Sequence, residues 1–277
     1  MIITKRKRKA GGPNMADKAD KFRLYEQSVQ APDHEVKFLD QAYREARGRA
    51  PVSLGEDFCG TFAVSCHWVM SDQQRTAVAV ETCGATLQWG RDKNLAKLDD
   101  EQRNRVELKH QDARTRDSHQ VDVLTAQNFS FWIFKLRSEV IEYFQAARSN
   151  LAGDGVMVLD MFGGAECRTE GLSHRTTIED GKESFRYDWT QVSFNPINSD
   201  LCCSIGFSFP DGSRMHNAFV YHWRLWTITE VRELLIEAGF AATHVYWLIE
   251  SEEDLRWGRC ENAPSDASWT CYVVALK

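Results

Sequence analysis

The run Leu54-Gly55-Glu56-Asp57-Phe58-Cys59-Gly60-Thr61-Phe62 sets the architecture of this chain. Pro51, Val52, Ser53 and Leu54 lead into it as a short apolar segment, so a buried strand is predicted over Val52–Glu56. The strand ends in two carboxylates, a tight turn follows at Cys59-Gly60-Thr61, and an apolar helix is predicted over 61–70. Strand, acidic turn and helix in this order describe how an open α/β sheet presents a crevice at the carboxyl ends of its strands. A phosphate-binding turn needs bare glycines whose amides wrap an anion. This turn carries negative charge, which repels a pyrophosphate and suits a cationic nucleoside without phosphate. No Gly-x-Gly-x-x-Gly follows the first strand, which argues against a nicotinamide dehydrogenase.

Working outward, residues 17–30 and 33–47 carry helical apolar spacing, with Asp33 after Pro32 as an N-cap for the second helix. Beyond the first strand and helix, strands and helices alternate. Strand Ala77–Glu81 precedes a helix over 84–97, and strand Val106–Lys109 follows. Val121–Gln127 precedes a helix over 137–151, then comes strand Gly155–Asp160. Near-continuous apolar strands in this alternation imply a parallel sheet with helices on both faces. Between Met161 and Trp226 the pattern changes. Segments 185–194, 200–209 and 214–223 alternate polar and apolar residues around turns at Asn195-Pro196 and Pro210-Asp211-Gly212-Ser213, predicting two or three antiparallel strands. A helix returns over 228–238, with Thr227 and Glu230 as a capping box and Gly239 as its stop. Strands Thr243–Ile249 and Trp269–Leu276 close the chain. One domain with an inserted β layer is expected.

The 277 residues are enough for a large core, and no apolar run approaches the roughly 20 residues that span a bilayer. Net charge is −6, yet Lys5, Arg6, Lys7, Arg8 and Lys9 hold +5, leaving −11 on the remainder. An acidic body disfavours a nucleic-acid backbone as partner. The basic cluster reads as part of a disordered tail over 1–16 or as a nuclear-import or nucleic-acid arm, and Met15 reads as a possible true start. No apolar signal region follows the cluster, and the eight cysteines lack paired short spacings. Reduced thiols in the cytoplasm are expected, with neither a disulfide framework nor a metal site.

Over residues 17–277 the chain resembles a class I S-adenosylmethionine-dependent methyltransferase. It is most similar to a bacterial-type group, largely of unassigned substrate, marked by three segments: Glu56–Thr61, Asn128-Phe129-Ser130-Phe131, and Tyr221-His222-Trp223-Arg224-Leu225-Trp226-Thr227. The resemblance implies an α/β, Rossmann-like seven-stranded sheet whose last strand runs antiparallel, with N-terminal helices over 17–50 and the antiparallel β insertion over 161–226 after the fifth strand. S-adenosylmethionine is the implied cofactor. It also implies roles. Glu56 stands near the methionine ammonium, and Phe58, Cys59, Gly60 and Thr61 form the turn against the cofactor. Cys59's thiol reads as a small buried filler. Glu81, with Thr82, ends the second strand where ribose hydroxyls are met. Asp112 and the Ala113 amide read the adenine edge, Asn128 and Phe129 lie beside the sulfonium, and Tyr25 closes the cofactor from the N-terminal helices. Phe58 and Phe62 occupy positions where the fold has glycine. They are expected to narrow the pocket and to set an aromatic face near a cation, worth about 0.5–2 kcal/mol.

Methyl transfer from a sulfonium is an in-line displacement that needs positioning above all, so no fixed triad is expected. The insertion is rich in aromatic and polar side chains: Tyr187, Trp189, Tyr221, His222, Trp223, Arg224 and Trp226. It is expected to lid the site, with Tyr221, His222 or Arg224 orienting the acceptor. Alternatively Trp189, Trp223 and Trp226 are the insertion's own core and Arg224 bridges it to the sheet. A fitted lid favours a small-molecule acceptor. An RNA or protein methyltransferase, or a non-catalytic S-adenosylmethionine-binding module, stays open beside it; no membrane partner is expected, and the oligomeric state is not readable.

Overall fold

A computed structural model describes residues 12–116, 120–179, 183–250 and 255–277. The basic cluster Lys5–Lys9 lies outside the described residues. The expected tail boundary at 16 falls inside a short helix, α1 (Met15–Lys18), which Asn14 caps by accepting from the Asp17 amide at 2.9 Å.

The predicted first helix is broken. After α1 the chain turns at Ala19-Asp20, and the Asp20 carboxylate accepts from the Phe22 and Arg23 amides to start α2 (Lys21–Val29). α3 (Pro32–Arg47) starts with Pro32 in its first turn and Ala31 at the N-cap, so Asp33 is not the cap. Asp33 instead pairs with His67 Nδ1 at 2.7 Å, which holds its carboxyl below the usual range.

The main sheet uses β1 (Ser53–Asp57), β2 (Thr76–Glu81), β3 (Val106–His110), β4 (Val121–Ala126) and β5 (Leu151–Gly163), all pairing in parallel. α4 (Ala63–Ser71), α5 (Gly84–Lys93), α6 (Asp100–Arg103) and α7 (Arg137–Asn150) lie between them, and α5 stops short of 97. Asn94 ends it by turning its amide to Glu26 and to the Thr61 carbonyl. After α8 (Ile228–Glu237), β10 (Ala242–Glu250), β11 (Leu255–Arg259) and β12 (Trp269–Leu276) finish the sheet in the order β11-β10-β12-β5-β4-β1-β2-β3. β12 runs antiparallel between β5 and β10. Seven of the eight described strands follow the expected arrangement; β11 is the eighth. Its five residues, with Gly258 between Trp257 and Arg259, are too few to give a period for a sequence reading to detect.

The insertion is a four-stranded antiparallel sheet: β6 (Gly171–Glu179), β7 (Glu183–Asn195), β8 (Asp200–Ser208) and β9 (Arg214–Arg224). β6 was not expected. It is an edge strand pairing only with β7, and its polar sequence has no apolar alternation. Three cores result. α7, α8 and the insertion cover one face of the main sheet, including Trp132, Tyr143, Phe144 and Trp223. α3 and α4 cover the other, with Phe38, Tyr43, Phe62 and Trp68. A third joins Leu24 of α2 to Phe185, Tyr187 and Phe207 of the insertion. The N-terminal helices therefore bridge the sheet and its insertion, and a cleft opens between them. No helix of the described residues is long and apolar enough to cross a membrane.

Candidate functional site

The turn after β1 is held in an unusual backbone conformation. Phe58, Gly60 and Phe62 have φ of 54°, 56° and 48°, in the left-handed region that non-glycine residues rarely enter. The two phenylalanines hold that conformation by diverging into opposite cores. Phe58 packs 5.5 Å from Tyr143 and 5.9 Å from Phe134, while Phe62 is fully buried with its ring against Gly90 of α5. Neither lines the cleft, so the expected narrowing by aromatic faces is corrected: both rings anchor the turn from behind. Gly60 is different. A Cβ there would meet nothing within 4 Å, so open space and not packing surrounds it.

Two βα turns are tied together by one carboxylate. Glu81 accepts from the Gly60 amide at 3.1 Å through one oxygen, and from the Cys83 amide at 2.8 Å and the exposed Thr82 hydroxyl at 3.3 Å through the other. The oxygen that accepts from Gly60 keeps a further lone pair for a hydroxyl. Thr61 is buried and donates to Glu26 Oε1 at 2.5 Å; Asn94 donates to the same oxygen at 2.6 Å, so α2 is pinned across the turn. Cys59 is 2% exposed, and burial beside Glu56, Glu81 and Asp57 pushes its thiol well up, which fits an inert filler.

Glu56 faces the α4 side of β1. Its Oε2 accepts from the Ser65 amide at 2.9 Å and hydroxyl at 2.5 Å, and burial pushes its carboxyl up to about 7. Asp57, one residue on, faces the opposite side and accepts from Tyr143 Oη at 3.0 Å; it too is pushed up to about 7 by burial. Asp112 is held below the usual range by Arg114, whose guanidinium lies 2.8 Å away. Ala113 is buried beside Asp57 around a separate cavity of only about 30 Å³, enough for a water and no more. The structure does not bring Asp112 and Ala113 to the main cleft.

That cleft has a volume of about 720 Å³. It gathers Tyr25, Asn128, Phe129 and Tyr221 from among the expected site residues. Asn128 and Phe129 follow β4 with φ of 57° and 59°. Asp160, near the end of β5, stabilises this second left-handed turn: its two oxygens accept from the Asn128 amide at 2.7 Å and the Phe129 amide at 2.8 Å. Burial still pushes Asp160 up to about 7, and Glu35 acts in the same direction. Glu35 lines the cleft from α3, accepts from Tyr272 Oη at 2.8 Å, and is likewise raised to about 7 by burial.

Tyr221 donates its hydroxyl to Tyr25, joining the insertion to α2, and burial raises both phenols. Its ring stacks on Trp223 at 4.4 Å and 18°, and Trp189 stands beside both. His222 and Arg224 alternate to the other side of β9, outside the cleft, which corrects their expected roles. His222 is exposed. Arg224 donates to the Lys135 carbonyl at 3.1 Å and to Glu230 at 3.0 Å, with its guanidinium 3.7 Å from the Trp226 ring centre. It is a bridge to α8, and Trp226 is core.

Sequence reasoning missed Asp160, Glu35 and the β12 residues Trp269 to Tyr272 that complete the wall. Asp160 had a signal: a lone carboxylate after the apolar run Val156–Leu159, matching the acids that end β1 and β2. Glu35 had none, since an acid in a first helical turn is ordinary.

No family model matches the chain, and no curated protein matches it in sequence. Solved structures do match in fold. An amino pentose methyltransferase from Micromonospora echinaspora involved in calicheamicin biosynthesis, solved with S-adenosylmethionine bound, is 17% identical with a TM-score of 0.65, over 92% of this chain and 95% of that one. An S-adenosylmethionine-dependent methyltransferase from Clostridium acetobutylicum is 14% identical with a TM-score of 0.66, over 92% and 96%. A sugar N-methyltransferase from a Streptoalloteichus species is 15% identical with a TM-score of 0.65, over 100% and 98%. Strand order, antiparallel closing strand and insertion together give this chain the fold of S-adenosylmethionine-dependent methyltransferases.

Proposed function

We propose that the protein is an S-adenosylmethionine-dependent methyltransferase acting on a small-molecule acceptor. The observation that carries this reading is the pair of left-handed turns, at 58–62 and 128–129, at the carboxyl ends of β1 and β4. They lie on neighbouring strands, and the second opens into the cleft. The residues suit the cofactor. Gly60 leaves a cradle that a side chain would fill, and the Glu81 oxygen beside it has a lone pair for a ribose hydroxyl. Asp160 and Glu35 line the cleft as carboxyl groups that a bound cation would favour in their ionised form.

When bound, S-adenosylmethionine supplies an electrophilic methyl group on sulfur. The chain's own part is to position. Asp160 fixes the Asn128–Phe129 turn, and Tyr25 closes the space from α2. The aromatic wall of β7 and β9 excludes water from the acceptor, and holding the two reactants in line is worth roughly 7–11 kcal/mol. A polymeric acceptor would want an open basic groove, whereas no Lys, Arg or His is among the described lining residues. Calorimetry with S-adenosylhomocysteine tests the reading, followed by turnover of a metabolite extract with labelled methyl donor. Absence of binding at millimolar ligand rejects it.

A further inference from the structure

Resting on that cofactor reading, we propose that the acceptor is an organic amine with an apolar face, held as its cation between the aromatic wall Trp189–Tyr221–Trp223 and the carboxylates of Glu35, Asp160, Glu166 and Glu170.

The chemistry of the cleft is one-sided. Glu35, Asp160, Glu166 and Glu170 all line it, and among the described residues no basic side chain does. An acceptor bearing phosphate, sulfate or carboxylate would lose its hydration among four carboxylates and meet no cationic partner among the described residues. One sulfonium does not use all four. Glu166 and Glu170 stand on the β5–β6 connection, away from the ends of β1 and β2 where the cofactor reading sets the nucleoside. That connection is fixed in place: Gln191 of β7 donates to the Thr169 carbonyl at 2.8 Å, and the Glu166 amide donates to the Ala267 carbonyl at 2.9 Å.

Aromatic rings supply the second half. Tyr221 and Trp223 stack 4.4 Å apart, and Trp189 lies 6.2 Å from Trp223 at 31°. Phe162 stands edge-on to Trp189 at 6.4 Å and 89°. Side-by-side faces of this kind attract an ammonium group through the ring quadrupole, while they repel an anion. Carboxylates alone would hold any metal or amine, and rings alone any apolar compound. Together they select an ammonium group carrying carbon.

Methylation requires the nitrogen lone pair. An ammonium proton passes to a lining carboxylate; Glu35 has one oxygen that accepts no hydrogen bond among the described residues. Burial sets that carboxyl near 7, where it can take a proton at neutral pH. The lone pair then forms the N–C bond as the C–S bond breaks, and its electron pair stays on sulfur. The product leaves as the methylated ammonium cation, and the carboxyl returns its proton to water.

The test uses a cation that cannot be methylated. Choline, its uncharged carbon isostere 3,3-dimethylbutan-1-ol and the anion 3,3-dimethylbutanoate are titrated into the protein with and without S-adenosylhomocysteine. Choline is expected to bind about tenfold tighter than the isostere in both forms, with no binding of the anion. In Trp189→Leu the advantage of choline should shrink to about twofold. Equal binding of choline and isostere, preference for the anion, or no choline binding at all overturns the proposal. Failure of S-adenosylhomocysteine to bind overturns the cofactor reading instead, and the titrations without it still decide the charge preference.

Discussion

Gly90 of α5 lies directly against Phe62: a Cβ on Gly90 would stand 2.4 Å from Phe62 Cε1 and 2.6 Å from the Thr61 carbonyl oxygen. The chain places a bulky ring in this turn, and a missing side chain on α5 makes room for it. Gly90→Ala should therefore destabilise the protein by about 1–3 kcal/mol through overpacking. The double variant Gly90→Ala/Phe62→Leu should recover part of that loss. Thermal unfolding of the four proteins checks the coupling, and additive losses would deny it.

Glu81 joins two turns through charged acceptors that glutamine cannot fully replace. Glu81→Gln keeps the shape but sets an NH2 against one backbone amide. S-adenosylhomocysteine should bind about tenfold to a hundredfold more weakly, in line with about 1.5–3 kcal/mol for a hydrogen bond to a charged group. Calorimetry reads this directly. An unchanged Kd would remove Glu81 from the cofactor site.

The two sides of β9 should behave differently. His222→Ala, on the exposed side, is expected to leave acceptor turnover and S-adenosylhomocysteine binding unchanged. Tyr221→Phe removes the hydroxyl that holds α2 to the insertion and should raise KM for the acceptor. Steady-state kinetics with an acceptor drawn from the extract screen separates them.

The sequence made this strand alternation hard to read, although other parts were plain. The parallel strands, the capping box at Thr227 and the acidic strand ends all follow from local patterns. Tertiary choices did not. Phe58 and Phe62 look like pocket residues in a linear motif, and only the sheet shows that each turns into a different core. His222 and Arg224 sit in the same aromatic segment as Tyr221, yet the strand's period of two sends them outward. β6 and β11 are edge strands whose pairing, not their residues, defines them. Glu35 reaches the cleft from over 120 residues before its partner Asp160, a proximity that no local pattern encodes.

Stability should fall as pH rises toward neutrality. Glu35, Glu56, Asp57 and Asp160 are each raised by burial to about 7, against an unfolded value near 4. Between about pH 4 and 7 the folded state thus holds protons that the unfolded chain has released. The stability these groups contribute is complete below about pH 4 and is lost as pH climbs through 7. Asp33, Asp112 and Asp154, lowered by hydrogen bonds to His67, Arg114 and Arg49, act the other way in acid. Tm should peak near pH 4 and decline toward pH 8, and a Tm rising steadily from 5 to 8 would contradict this assignment.

A crystal structure with S-adenosylhomocysteine is the most direct test of where the cofactor lies. It should show the ribose hydroxyls on Glu81, backbone contact at Gly60, and the sulfur beside Asn128 facing the wall of Trp189, Tyr221 and Trp223. Crystals soaked at millimolar ligand with that region empty, or with the nucleoside elsewhere, would contradict the account.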